Sequence, residues 1–459
     1  MSLLSACAYL AGRFVYLCLH VLLKRSASQL PGRVALAISP QFIRDMGGRL
    51  GDSCVCVCGT NGKTTTNNLL CRVMEARGYH VVCNRKGANM PAGIASALIA
   101  DPHATAACFE VDELSSIQIL PQLNPRYFIL LNLFRDQLDR VGEMDRVQDT
   151  LARALAASPQ TQLIVCGDDP LSLGVYERLK QSGTRSLTSF GISKAPAQAR
   201  GRVPEARFCQ LCGAELRYAS YSYAQLGDFS CPKCSFKRPA LDMSASDIVL
   251  SPTSLRFSFS TLDHMTPAQS LRANFGGLYM VYNLLAILSF MHARGIATDV
   301  LASVLKDYHP ENGRLQHFSY EGLDIILNLA KNPTGFNQNI SLLKEDPRSK
   351  CIYICINDNY NDGRDVSWLW DVDFERFREE KDCVLFCGGT RAHDMQVRLK
   401  YAGFDAPCVN TIDEVLERAS SEDSHKPLYV LTNYSALWPI KARLEHICAH
   451  AATSPASMR

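Results

Sequence analysis

The apolar and polar positions along the chain alternate between two periods. Residues 53–59, "SCVCVCG", form a short apolar run suited to a buried parallel strand. Residues 63–78, "KTTTNNLLCRVMEARG", then take up helical spacing, with Gly78 as the stop. From about residue 321 the same alternation returns. "GLDIILNLAKNP", "KCIYICINDN", "DCVLFCGG" and "PLYVLTNY" read as four buried strands with helical stretches between them, which predicts a second parallel sheet. At the other end, "LLSACAYLAGRFVYLCLHVLLKR" is apolar but interrupted by Arg13 and His20, and its basic pair follows the apolar run. That order is wrong for a signal or spanning segment and predicts an amphipathic helix. Packing on the protein's own body and lying on a membrane surface are both open to it.

Length and composition narrow the class. At 459 residues with 47% hydrophobic content, the chain is long enough for two or three domains, each with its own core. A formal charge of only +3 gives no global field for nucleic acid or another polyanion. The 19 cysteines are odd in number and mostly single within apolar runs, as reduced core thiols are, which points to the cytoplasm.

Between the first strand and helix lies a loop with two glycines, Gly59-Thr60-Asn61-Gly62-Lys63-Thr64-Thr65. Glycines let backbone N–H groups curl round phosphate oxygens, and a helix N-terminus adds partial positive charge. Lys63 is expected to balance the β- and γ-phosphates of a nucleoside triphosphate, and the Thr64 hydroxyl to reach magnesium. The longer G-x-x-x-x-G-K-[ST] form needs glycine at 57, where this chain has Val57.

A second motif is C-x2-C-x18-C-x2-C, formed by Cys209, Cys212, Cys231 and Cys234. Each C-x2-C makes a knuckle presenting two thiolates, and the spacer suits a hairpin that joins the knuckles round one tetrahedral zinc. Four protein ligands leave no open position, so the zinc is structural; redox use of either pair is the weaker alternative. Few basic residues surround it, notably Lys233, Lys237 and Arg238, which is thin support for nucleic-acid binding.

The C-terminal strand ends are polar. Lys331 and Asn332 follow the first, Asn357, Asp358 and Asn359 the second, Asn433 and Tyr434 the fourth. Ligands collect at such carboxyl edges. Asp358, Asp362, Asp365, Asp371 and Asp373 crowd into one stretch. A solvated loop with helix-capping aspartates accounts for Asp371 and Asp373 as well as a site does; Asp358, directly after a strand, is the functional candidate.

The short G-T-N-G-K-T loop resembles that of the Mur ligase superfamily, and other segments agree in order. "FEVDE", 109–113, carries Glu110 where those ligases place a magnesium-binding glutamate; "LLNLFRDQLDRVGEMD", "GLYMVYNLLAIL" and "NGRLQ" resemble three further motifs. Gln137 stands where the ligases usually have histidine, and Gln316 where they usually have glutamate. "LAKNPTGFNQ", "INDNYNDGRDVSWLWDVDFE" and "GGTRAHDMQVRLKYAG" closely resemble the C-terminal domain of one branch, the ligase half of two-protein lipid II isoglutaminyl synthases, which also carries a four-cysteine zinc ribbon and shares the glutamine at 137.

The resemblance implies an α/β protein with three parts: an N-terminal helix and lead-in (1–40), a Mur ligase-like central ATP-binding domain with a P-loop parallel sheet (41–318) and a zinc-ribbon insert (205–238), and a C-terminal α/β parallel-sheet domain (319–459). It further implies ATP- and Mg²⁺-dependent amidation of the D-glutamate α-carboxylate of the lipid II stem peptide, through an acyl phosphate. Thr64 and Glu110 would ligate Mg²⁺, Asn283 would contact adenine and Arg314 would reach the nucleotide from the hinge. Lys331 would position the acyl phosphate, and Asp358 would orient ammonia or take its proton. No G-x-C-x-G glutaminase elbow is present in the sequence, so ammonia is expected from a separate GatD-like glutaminase in a heterodimer. The expected location is the cytoplasm, with the inner face of the membrane open to it. Two rivals stand beside this reading: a ligase of the muramyl-peptide or folylpolyglutamate type that adds an amino acid, and a nucleotide-dependent scaffold or nucleic-acid module.

Overall fold

The computed structural model describes residues 2–25, 27–135, 143–180, 183, 186–194, 196, 206–262, 268–310, 313–360, 362–379, 383–422 and 426–453. Gln137 lies outside them.

The apolar run at 53–59 forms β1 (Cys54–Cys58), buried along its whole length. It sits inside a nine-stranded sheet with β2 (Val81–Cys83), β3 (Ala106–Glu110), β4 (Tyr127–Leu130), β5 (Gln162–Cys166), β6 (Leu187–Ile192), β9 (Met243–Ser251), β10 (Ser254–Thr261) and β11 (Gln269–Ala273), while β7 (Arg217–Tyr223) and β8 (Leu226–Ser230) pair separately. The order is β11-β10-β9-β6-β5-β4-β1-β3-β2. From β2 to β9 all neighbours are parallel; β10 and β11 add an antiparallel extension, so the sheet is mixed. Consecutive strands leave β1 on both sides, which makes its carboxyl end the point where the winding reverses and where a ligand crevice opens.

The second sheet has the order β12-β13-β16-β14-β15, formed by Gln316–Tyr320, Leu323–Leu329, Leu428–Thr432, Lys350–Cys355 and Cys383–Gly388 respectively. The four strands expected from the sequence are mutually parallel. β12 is a fifth, antiparallel edge strand, joined to β13 by a tight turn through Glu321 and Gly322, both at positive φ. It is only half buried, so it lacks the continuous apolar signature of its neighbours. Hence the second sheet begins at Gln316, ahead of the boundary expected at 319.

The N-terminal helix, Leu3–Leu17 continued by a wide turn over Cys18–Leu22, lies on the helices Leu30–Ile38 and Pro91–Ala100. All 19 cysteines are free thiols, many fully buried in strands, as their apolar settings implied.

Candidate functional site

The loop after β1 is fixed by close approaches that only glycine tolerates. Gly59 has φ +133°, and a Cβ there would lie 2.9 Å from the Asn132 carbonyl oxygen. Gly62 has φ +89°, and a Cβ there would lie 2.3 Å from Oδ1 of Asn283. Asn132 pins the first half of the loop: its carbonyl accepts from the Thr60 N–H and its side-chain oxygen from the Asn61 N–H, each at 2.9 Å. Those two amides are therefore turned away from any phosphate. The helix starts at Lys63, and its first internal bond runs from Thr66 N–H to the Gly62 carbonyl. The N–H groups of Lys63, Thr64 and Thr65 thus have no intrahelical partner, and such amides at a helix start suit an anion.

Lys63 curls back over this turn. Its ammonium donates to the Gly59 carbonyl, to the Thr60 carbonyl at 3.4 Å and to Glu113 Oε1 at 3.0 Å. Burial opposes its charge, yet the carboxylates of Glu113 and Glu110 prevail and hold the ammonium above its ordinary range. Burial likewise opposes ionisation of Glu113, and the Lys63 charge overcomes it, pulling that carboxyl down. Glu113 escaped the sequence reading although it lies in the same "FEVDE" segment as Glu110. Two acids three residues apart cannot be ranked until the chain's turn past β3 is known.

Glu110, at the end of β3, is 3% exposed and accepts from the Thr64 hydroxyl at 2.7 Å and from the Asn89 amide at 2.9 Å. The expected pairing of Thr64 with Glu110 is therefore present. A hydroxyl and a carboxylate converging beside the helix-start amides are hard oxygen donors of the kind Mg²⁺ takes, so these residues fit the ion. Arg314 arrives from the connection between the sheets and donates from Nη2 to Thr64 Oγ1 at 3.2 Å, which places it beside the loop. Gln316 instead closes the hinge turn, accepting from the Gly313 N–H at 3.2 Å.

These groups face a cleft of about 790 Å³ shared by the two sheets; Lys63, Thr64, Glu110 and Arg314 line one side, Lys331 and Trp438 the other. The Asn61 and Asn332 side chains bond across it, at 3.1 and 3.4 Å, and Arg135 pairs with Asp371 at 3.1 Å. Asp371 thus has an interdomain role that neither sequence reading foresaw.

Gly59, Asn283 and Asp358 do not reach the cleft wall. Asn283 is 2% exposed and turns its amide toward Gly62 from below, so in this structure it supports the loop instead of facing an adenine site. Asp358 follows β14, two strands from β13 along the second sheet's carboxyl edge. It accepts from the Thr390 hydroxyl at 2.7 Å and from Arg391 Nε at 3.0 Å, and these bonds hold its carboxyl below the usual range. Of the other acids of that stretch, Asp362 accepts from the Ser435 N–H and hydroxyl, Asp365 accepts from the Ser367 N–H, and Asp373 is buried.

The four cysteines meet as their spacing predicted. Their sulfurs lie within 4.8 Å of one another, with Cys209 opposite Cys234 and Cys212 opposite Cys231 at 3.5 Å. Knuckle amides of Leu211 and Lys233 donate to the sulfurs of Cys209 and Cys231. Four thiolates at this spacing suit a tetrahedral ion and leave it closed to substrate. The hairpin β7–β8 is tied to the main sheet through Asp168, whose carbonyl accepts from the Gly227 N–H and whose carboxylate accepts from Arg238, Tyr282 and the Ile192 N–H.

A phosphate loop at the reversal point of a wound sheet, facing a second α/β unit across a shared cleft, is the architecture of the Mur ligases, whose fold implies use of ATP and Mg²⁺. The structure is similar to that of a pseudomurein peptide ligase type C from Methanothermus fervidus, with a TM-score of 0.67 at 17% identity over 89% of this chain and 80% of that one. A family model for the Mur ligase middle domain matches residues 57–214, and one for the MurT ligase C-terminal domain matches residues 329–437. Over 424 residues the chain is 31% identical to the lipid II isoglutaminyl synthase (glutamine-hydrolyzing) subunit MurT of Staphylococcus aureus strain COL, covering 92% of this chain and 93% of that one. The subunit of the same name from Streptococcus pneumoniae strain R6 is 30% identical, over 95% and 96%. The chain belongs to the MurT family of Mur ligase-related subunits.

Proposed function

We propose that this chain is the synthetase subunit of a lipid II isoglutaminyl synthase, converting the D-glutamate α-carboxylate of the stem peptide to the amide in peptidoglycan synthesis. The observation that carries the reading is the shared cleft, in which the phosphate loop and Lys331 of the MurT-type domain face each other. A carboxylate is a poor electrophile until phosphorylated. Its oxygen attacks the γ-phosphorus of ATP, the bond to the leaving ADP oxygen breaks, and an acyl phosphate results. Ammonia then attacks the acyl carbon, phosphate departs with the bonding pair, and the extra proton passes to a base. The Lys63–Thr65 amides and the Lys63 ammonium hold the β- and γ-phosphates, Arg314 steadies the nucleotide from the hinge, and Lys331 holds the acyl phosphate. Thr64 and Glu110 are the proposed holders of Mg²⁺, which when bound would draw charge from the phosphate oxygens. Zinc is the proposed ion of the four thiolates.

Asp358 lies off the cleft wall but on the same sheet edge, so its proposed part is with the incoming ammonia, orienting it or taking its proton, and not with the phosphates. The partner proposed to supply that ammonia is a GatD-like glutaminase, lipid II is the acceptor, and the complex works in the cytoplasm at the inner face of the membrane.

The decisive assay is ADP release with lipid II and either ammonium or free amino acids. Ammonium dependence is expected; dependence on an amino acid would establish an adding ligase instead. Arg314→Ala removes the charged hydrogen bond to Thr64 beside the proposed nucleotide and should raise KM for ATP about tenfold or more, read from initial rates. Asp358→Asn should slow amidation by at least about a hundredfold while ATP binding is kept. Full turnover in that variant would remove Asp358 from the reaction.

A further inference from the structure

The N-terminal helix is oriented opposite to an ordinary surface helix. Its body-facing side consists of small residues, Ser5, Ala8 and Gly12, all buried. A Cβ at Gly12 would lie 2.6 Å from Ile99 Cδ1, and Ser5 bonds Ser39 at 2.9 Å, so the helix is seated closely on its supports. Arg13 also points inward and donates to the carbonyls of Ile99 and Ala100, each at 3.0 Å. The large apolar side chains point the other way. Leu3, Leu10, Phe14 and Val21 are 83%, 68%, 69% and 60% exposed, and Leu17 and Leu22 extend the same surface. A helix that merely covered its own protein would bury these and expose the small ones. A continuous apolar stripe of this length marks an interaction surface.

We propose that this stripe docks on an anionic lipid surface, with the helix lying in the bilayer interface. Charge identifies the occupant. The first acid in the chain is Asp45, whereas Arg13, Lys24, Arg25, Arg33 and Arg44 precede it. Lys24 and Arg25 are exposed where the helix ends, suited to anionic head groups. A second copy of the chain fits less well. The stripe has the spacing of a helix pair, but the helix itself carries no acid to meet a partner's bases, and Asp45, beside its head, already accepts from the Ser2 N–H and hydroxyl. Twenty residues are enough to cross a bilayer, yet a spanning helix would have to strip Arg13 and the small face from the body, so the helix lies flat. Gln29, just beyond the helix, and Met90, at the head of its supporting helix, both line the cleft. Docking therefore brings the cleft to the surface that carries a lipid-linked acceptor; that last link rests on the proposed function, but the docking does not.

The test is co-sedimentation of the full chain with vesicles of neutral phosphatidylcholine, with and without about one-third phosphatidylglycerol, in the absence of ATP and lipid II. Binding to the anionic vesicles is expected, weakened by salt and by Lys24→Glu with Arg25→Glu. Leu10→Glu with Phe14→Glu should lower partitioning at least tenfold, while ammonium-driven amidation of a soluble, lipid-truncated acceptor stays at the parental level. Wild-type protein left in the supernatant, parental vesicle binding by the Leu10→Glu and Phe14→Glu variant, or a dimer in solution that this variant dissolves would each overturn the proposal. Failure of the proposed reaction would appear separately, as absent ADP release with vesicle binding intact.

Discussion

Lys63→Ala is expected to reduce ADP formation by at least about a thousandfold, through loss of a fixed positive charge where charge develops on the transferring phosphoryl group. The structure adds a second cost. Lys63 is 3.0 Å from Glu113, and both are largely buried. Removing the lysine leaves a carboxylate without its counter-ion, directed at the entering triphosphate, so ATP binding should fall as well as turnover. Breaking such a pair also destabilises the fold. The double variant Lys63→Ala with Glu113→Gln separates the two effects: it should recover thermal stability and part of the ATP affinity, measured by calorimetry, but not the turnover. Parental ATP uptake by Lys63→Ala would mean that this loop is not the nucleotide site.

Loss of the proposed zinc should have the next largest effect. Cys231→Ser is expected to abolish about one equivalent of bound zinc and to lower the melting temperature by on the order of 10 °C. A two-stranded hairpin has almost no core of its own. Here β7 and β8 rely on a small apolar cluster of Leu173, Leu216, Phe229 and Phe236 packed beside the cysteines. The disturbance should spread along named bonds. Asp168 holds both Gly227 and Arg238, and the adjacent Asp169 accepts from the Leu133 N–H at 2.8 Å, where Leu133 lines the cleft. Activity should therefore drop with zinc loss although no cysteine lies in the cleft. A well-folded, metal-free preparation of the parent would refute the zinc assignment.

The fold was legible wherever the signal is local. β1, its turn and its helix could be read because a buried parallel strand, a glycine turn and an amphipathic helix each leave a pattern within a few residues. The four C-terminal strands were legible for the same reason. β12 was not, because a half-buried edge strand alternates weakly and resembles a polar connection. The antiparallel extension β9 to β11 left the sheet mixed where only parallel strands were foreseen.

By itself the sequence determined the glycine turn between β1 and its helix, the clustering of the four cysteines, the meeting of Thr64 with Glu110, and the resemblance that covers both sheets. Each is carried by residue type at short or fixed spacing. Tertiary structure alone decided which side chains share the site. Arg314 meets Thr64 across 250 residues, Asn132 takes two amides from the loop, Glu113 neutralises Lys63, Asn283 lies under Gly62, and Asp358 stands two strands from Lys331's strand. It also turned the N-terminal helix so that its small residues face inward. The physical reason is that local periodicity fixes elements and their faces, whereas strand order and domain docking fix which faces meet, and those depend on contacts between residues far apart in the chain.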